Sequence, residues 1–235
     1  MARTEALAQG ESRQTTDTPA PALRAQRFYS TRREKVKKIP KLETERLILR
    51  PLGKADAAEV MRLAGDREVA DTTLNIPHPY KDGMAEEWIA KHQENFDKDQ
   101  GATWAITRKS DGVLVGVISL TGMVEGHQAE LGYWIGKPFW NHGYCSEAAQ
   151  TVLWYAFSDL ALTRVHASHF TRNPASGRVM RKIGMQHEGC RRNHVKKWDK
   201  MENLELYGIL KSEMATTANQ AMHRGNKMVC DHSRV

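Results

Sequence analysis

Between residues 46 and 210 the apolar positions fall into short runs whose period alternates between strand-like and helix-like. Arg46–Leu52 (RLILRPL) reads as a strand. The next run, ADAAEVMRLAG, sets Ala57, Val60, Met61 and Ala64 at helical spacing, with Asp56 near its start and Gly65 as its stop. A turn-rich PHPYKDG follows, and MAEEWIAKHQENF then brings Met84, Trp88, Ile89 and Phe96 close to one helix face. Thr103–Arg108 and Val113–Leu120 read as antiparallel strands joined at Ser110-Asp111-Gly112. Ala129–Ile135 (AELGYWI) is a further strand, which leads through GKPFWNHGY into a helix from about Ser146 to Ser158. Strand Arg164–Phe170, helix Ala175–Ile183, a strand from Met185 and a last strand near Glu202–Leu210 complete the series. Strands first, then strand and helix in alternation, predict an α/β domain with a mixed sheet covered by helices.

The two ends read differently from the middle. Residues 1–40 are polar and low in complexity and end in the basic STRREKVKK, with few large apolar residues to offset the entropy cost of ordering, so a disordered basic tail is expected there. A targeting peptide is the competing reading, against which Glu5, Glu11 and Asp17 count. Residues 215–235 lack apolar periodicity and are expected to be a flexible extension, leaving 41–214 as the domain. The formal charge of +7 is misleading as a sign of nucleic-acid binding, because residues 41–214 carry 23 Lys/Arg and 23 Asp/Glu. Cys145, Cys190 and Cys230 are too few and too scattered for a disulfide framework, and Met1–Gly10 lacks the apolar stretch of a secretory signal. With no run near the length of a membrane span, a cytoplasmic, membrane-free setting is expected.

The strongest local signal is the strand-loop-helix unit around KPFWNHGYCSEAA. A glycine-containing turn feeding a helix N-terminus leaves unpaired N–H groups and the positive end of the helix dipole facing outward, an arrangement suited to an anion. Gly143 supplies the sterically open position, Ser146 could cap the helix or donate to a phosphate, and Glu147 complements the dipole. Taken alone, the loop reads as a well-capped helix ahead of an anion site. It is neither a Walker A loop nor a dinucleotide fingerprint.

Three separated stretches change that balance. LETERLILRPL from Leu42, AELGYWIGKPFWNHGYCSEAAQTVLWYAF, and RVHASHFTRNPASGRVMRKIGMQHEG together resemble the GCN5-related N-acetyltransferases (GNAT superfamily), in particular the RimJ/RimL-like branch that acetylates ribosomal-protein N-termini. The resemblance spans residues 42–211. It implies a mixed, mostly antiparallel sheet flanked by helices, in which a parallel strand pair, here around Glu130–Ile135 and Arg164–Phe170, splays apart. Acetyl-CoA would enter that gap as co-substrate, with its pantetheine arm on the strand edge near Trp134 and Ile135. The family's pyrophosphate loop corresponds to Trp140-Asn141-His142-Gly143-Tyr144-Cys145, where only the first glycine of the usual pattern is kept. His142, for which a solvent-facing side chain is the preferred reading, Gly143, Cys145 and Ser146 are therefore implied cofactor contacts. So are Asn173 and Ser176, which match the family's Asn-x-x-Ser and would otherwise read as simple helix caps.

Acetyl transfer from a thioester to an amine needs a neutral amine, a donor for the developing oxyanion and an exit for the thiolate. The backbone N–H of Ile135 or its neighbour is the expected oxyanion donor. Glu130 is the candidate base, acting directly or through water, with an outward-facing or salt-bridged carboxylate as the equal alternative. The tyrosine that many relatives place seven residues after the asparagine is here Met180, so no general acid is assigned. No metal is expected: His166 and His169 fall on opposite faces of a strand, and the ten histidines show no paired ligand spacing. Cys145 has no visible His/Asp partner, and the basic Arg191–Trp198 (RRNHVKKW), read as the connection between two late strands, is expected to be a solvated hairpin.

The resulting expectation is an acetyl-CoA-dependent N-acetyltransferase acting on a primary amine, foremost a protein N-terminal α-amino group. A small-molecule amine is the first alternative. A non-catalytic acyl-CoA-binding module, its basic tail docking to RNA or ribosomes, is the second. Monomer and homodimer are both open.

Overall fold

The computed structural model describes residues 38–214, so the tail expected over residues 1–37 and the extension over 215–235 lie outside the described residues. The elements in chain order are β1 (Leu42–Glu43), β2 (Leu47–Pro51), α1 (Ala57–Ala64), α2 (Arg67–Asp71), α3 (Met84–Asp97), β3 (Gly101–Arg108), β4 (Leu114–Val124), β5 (Gln128–Ile135), α4 (Tyr144–Ser158), β6 (Arg164–Phe170), α5 (Pro174–Lys182), β7 (Gln186–Lys197) and β8 (Lys200–Leu210). The eight strands form one sheet in the order β1-β2-β3-β4-β5-β6-β8-β7. Every pairing is antiparallel except β5 with β6, which are parallel over Gln128↔Arg164, Ala129↔Val165 and Glu130↔His166.

Burial follows from the residue pattern. β3 is buried over nearly its whole length because helices cover both faces of the sheet at that point. α4 packs on one face through Ala148, Ala149, Val152, Leu153, Ala156 and Phe157, where three alanines let the helix backbone approach the strands closely. On the other face α1 and α3 form a second apolar cluster in which Val60, Leu63 and Ile89 meet Ala105 and Leu114. Arg50 forks onto Asp56 at 2.7 and 2.8 Å, and Asp56 also accepts from the Gly53 amide at 2.8 Å, which fixes the entry into α1.

Several expectations shift. Ile39 is buried in the core and the Pro40 carbonyl accepts a hydrogen bond from Trp104 Nε1 at 2.8 Å, so these two residues, expected in the tail, pack with the domain. The inward stripe of α3 is Ala85, Ile89, His92 and Phe96; Met84 is exposed at the helix start and Trp88 half-buried. Helix α2 was not predicted, being five residues long with Asp66 capping it by accepting from the Glu68 amide at 2.8 Å. Residues Arg191–Lys197, expected as a connection, are the second half of β7, and the turn falls at Trp198–Asp199. β7 is an edge strand whose residues are mostly exposed on both faces, so the alternation that announces a strand is missing.

Candidate active site

The parallel pairing of β5 with β6 ends at Glu130↔His166, although β5 continues to Ile135 and β6 to Phe170. Beyond that point β6 follows β8 while β5 follows β4, and a wedge opens between them. The Gly136 amide donates to the Val115 carbonyl at 2.9 Å. By the strict alternation of an antiparallel ladder, residues 134 and 132 also turn their amides to β4, and residues 133 and 135 turn theirs into the wedge. Of the expected pair Trp134 and Ile135, only Ile135 therefore offers an N–H to the gap; Tyr133, which sequence reading passed over, offers another. The Ile135 carbonyl is already occupied by Trp140 Nε1 at 2.7 Å, which pins the loop to the end of the strand.

That loop delivers α4 to the mouth of the wedge. Asn141 (φ +64°) and Gly143 (φ +79°) both take the left-handed conformation, natural for glycine and tolerated by asparagine. Gly143 is the residue before the helix, and among the described residues no side chain caps the N-terminus of α4. Ser146, expected as a possible cap, lies inside the first turn instead. The first intrahelical bond runs from the Glu147 amide to the Gly143 carbonyl at 3.1 Å, so the preceding amides have no helical acceptor. Glu147 is turned away from these amides: it accepts from Thr44 Oγ1, from the Arg46 amide at 2.9 Å and from Arg46 Nε at 2.7 Å. Burial alone would push its carboxyl up, but these donors together hold it below the ordinary range.

A cavity of about 860 Å³ occupies the wedge and spreads to both faces of the sheet. Trp134, Ile135, Gly143, Cys145, Ser146, Asn173 and Ser176 line it, as does Glu130. His142 does not: its exposed ring stacks on Tyr144 and turns Nδ1 back onto the Trp140 carbonyl at 2.7 Å. Asn173 caps α5 by accepting from the Ser176 amide at 3.4 Å. The Ser176 hydroxyl lies 2.9 Å from the Tyr133 hydroxyl. Burial pushes the Cys145 thiol up, which is unsuited to a nucleophile. Two cations missing from the sequence-based set, Arg178 and Lys182, lie one turn apart on α5 and also line the cavity. Their i, i+4 spacing was the available signal. A smaller hollow of about 290 Å³ adjoins, with Arg46, Gly143, Ser146 and Lys182 on its wall. An uncapped helix N-terminus between arginine and lysine side chains suits a polyphosphate.

The opposite lobe of the cavity is the one Glu130 faces. Register places Glu130 on the same sheet face as Thr121, Ser119 and Ser168, with Ser168 Oγ 3.5 Å from its carboxylate. His166 shares this face, whereas His169 is buried on the other, with Nδ1 2.8 Å from the Phe170 carbonyl. Trp88, Tyr80, Leu74 and Ile76 wall the lobe, and Glu130 is the one carboxylate among the described residues lining the cavity.

The family model for the acetyltransferase (GNAT) domain matches residues 46–186. This chain belongs to the GNAT acetyltransferases. The N-acetyltransferase YoaA of Bacillus subtilis, itself uncharacterised, is 32% identical over 174 residues, which are 74% of this chain and 98% of YoaA. A solved GNAT-family acetyltransferase from Bacillus anthracis superposes with a TM-score of 0.67 at 26% identity, covering 74% of this chain and all of that one. A ribosomal L7/L12 alpha-N-protein acetyltransferase, RimL, solved with coenzyme A, has a TM-score of 0.67 over 73% of this chain and 98% of its own, and at 15% identity shares the fold alone. The GNAT domain of this chain is thus an N-acetyltransferase with the mixed, mostly antiparallel sheet expected. Among the described residues no helix is long and apolar enough to cross a membrane.

Proposed function

We propose that this enzyme transfers the acetyl group of acetyl-CoA to one primary amine carried on an apolar body, foremost the α-amino group of a protein N-terminus, in the manner of the RimJ/RimL-like branch. The observation that carries this reading is the make-up of the cavity lining: the α4 N-terminus, Arg178 and Lys182 as cationic and N–H donors, Glu130 as the one carboxylate among the described residues, and Trp88, Tyr80, Leu74 and Ile76 as apolar surface. A polycation such as a polyamine calls for several carboxylates, whereas one ammonium on an apolar residue calls for one. An α-amino group, with its ordinary pKa near 7.7–8.0, also needs a weaker base than lysine at about 10.4.

In this assignment the first turn of α4, with Arg178 and Lys182, holds the coenzyme's phosphates, and the wedge edge of β5 holds its arm. Acetyl-CoA supplies a thioester carbonyl. Glu130 takes the proton of the incoming ammonium, directly or through water, and the freed N–H of Ile135 or Tyr133 donates to the carbonyl oxygen as negative charge gathers there. The C–N bond forms as the C–S bond breaks. A thiol with a pKa near 8.5 leaves as thiolate and gains, through solvent, the second proton that the nitrogen sheds as it becomes an amide, so Met180 in the usual tyrosine position is no obstacle. The test is a mass-detected screen of free-N-terminal peptides, L-phenylalaninamide and spermidine with acetyl-CoA. Acetylation of α-amines is expected. Product from spermidine alone would overturn the acceptor assignment, and coenzyme binding without any product would leave a non-catalytic binding module.

A further inference from the structure

Residues 72–77, a stretch without regular secondary structure, line the cavity that Glu130 also lines and are read as part of its acceptor wall. Its shape is imposed from elsewhere through its carbonyl groups. Lys197, at the end of β7 and only 4% exposed, donates from Nζ to the Ile76 carbonyl at 2.8 Å and the Leu74 carbonyl at 3.2 Å. Arg172, just past β6, donates to the Asp71 carbonyl at 2.8 Å and the Asp71 carboxylate at 2.7 Å, and is itself held by Glu202 at 2.8 Å. Asn173 Nδ2 reaches the Thr72 carbonyl at 3.4 Å. Three carbonyls of this irregular segment, and that of Asp71 at the end of α2, thus meet three side chains carried by β7 and by the turn between β6 and α5.

A buried ammonium is costly unless its donors are satisfied. Lys197 has no ion pair among the described residues: Asp71, the nearby acid, is committed to Arg172, and the Lys197 ammonium instead meets the two carbonyls and the Trp198 ring, 5.2 Å from its centroid. Desolvation draws its pKa down, in keeping with a cation that has left water to bind main chain. A solvated strand end would keep such a lysine outside; this one is turned inward onto a cavity wall.

We propose that Lys197 is a positioning residue for the acceptor, a latch that sets the distance of residues 74–77 from Glu130 and thereby governs acceptor recognition while leaving the coenzyme lobe untouched. The proposal rests on the reading of this lobe as the acceptor site, and its test has one arm independent of that reading. In Lys197→Met, hydrogen exchange across residues 74–76 rises about fivefold or more while α4 keeps wild-type protection. With L-phenylalaninamide as acceptor, KM rises about tenfold, kcat stays within about threefold, and coenzyme A affinity measured by calorimetry is unchanged. Lys197→Arg, which can serve both carbonyls, recovers most of the KM. Unchanged exchange at 74–76 overturns the latch, and so does a rise spread evenly over the chain or a failure to fold, either of which makes Lys197 a general stability residue. A wild-type enzyme that acetylates no amine defeats the proposed function instead, and the exchange arm still decides the latch.

Discussion

The hydroxyl of Tyr133 lies 2.9 Å from Ser176 Oγ and 3.1 Å from the Ser176 carbonyl, joining the free end of β5 to the first turn of α5 across the wedge. Burial raises the phenol pKa, so the group stays neutral and acts as a strut. Replacing it by phenylalanine removes a half-buried hydrogen-bonded pair and leaves Ser176 to find another partner. Tyr133→Phe should lose on the order of 1 kcal/mol of stability, a fall of a few degrees in Tm by calorimetry. An unchanged melting curve would mean the strut contributes nothing.

Glu130 is the one carboxylate among the described residues lining the cavity, so Glu130→Gln tests the proposed base. The turnover of an α-amine should fall about 10²-fold or more, with the deficit widest at low pH, where most of the amine must be deprotonated. Coenzyme A affinity should hold, because Glu130 faces away from the α4 amides. An identical pH profile in the variant would remove it from the mechanism.

At Gly143 the left-handed backbone, not crowding, is the constraint: a Cβ there would find only the Arg46 guanidinium, at 3.5 Å. A β-branched residue resists φ near +79° and would rotate the loop, misaligning the N-terminal amides of α4. Gly143→Val should weaken coenzyme A binding about tenfold or more by calorimetry. Wild-type affinity in a folded variant would count against the assignment of this loop to the phosphates.

His92 is buried edge-on against Trp88, with ring centroids 4.3 Å apart and Nδ1 without a hydrogen-bond partner among the described residues. Burial draws its pKa from an ordinary 6.5 to about 4. The folded value is the depressed one, so the unfolded chain binds this proton first as pH falls. The associated stability is fully present above pH 6.5 and disappears toward pH 4. The loss should be on the order of 2–3 kcal/mol, and His92→Phe should show a flatter decline in urea midpoint between pH 7 and pH 4. Parallel declines in the two proteins would assign the acid sensitivity to other groups.

Gly177 sits in the middle of α5, where alanine is ordinarily the better residue. Here a Cβ would lie 2.6 Å from Nε2 of His169, whose ring is buried and stacked on Tyr207 and so cannot swing aside. Gly177→Ala should therefore destabilise by about 1–3 kcal/mol. A stabilised variant would show that His169 moves more freely than its packing implies.

Much of the site was legible because it is built from contiguous segments. The strand-loop-helix of residues 129–158 carries the wedge edge, Gly143 and the α4 N-terminus in one stretch, and Asn173 announces α5 by its capping chemistry. What could not be read depends on pairing. Whether the Trp134 or the Tyr133 amide faces the wedge is a question of parity, decided by how β5 registers against β4. His142 belonged to the expected set by its place in the loop, yet its own bond to the Trp140 carbonyl turns it out of the cavity. Lys197 read as one more solvated cation in a basic run. Its burial comes from the β7–β8 turn, which carries it to a segment some 120 positions earlier in the chain.

Local periodicity and turn chemistry, properties of neighbours in sequence, determined most of the elements and their order, and the likeness carried by three separated stretches pointed to the family. The divergence of β5 from β6, the placing of Glu130 as the one carboxylate among the described residues lining the cavity, and the capture of residues 74–76 by Lys197 were decided only by tertiary structure. Each is a contact between strands or segments distant along the chain, and such contacts are selected by packing and backbone pairing across the whole sheet, which leave little trace in any short window of residues.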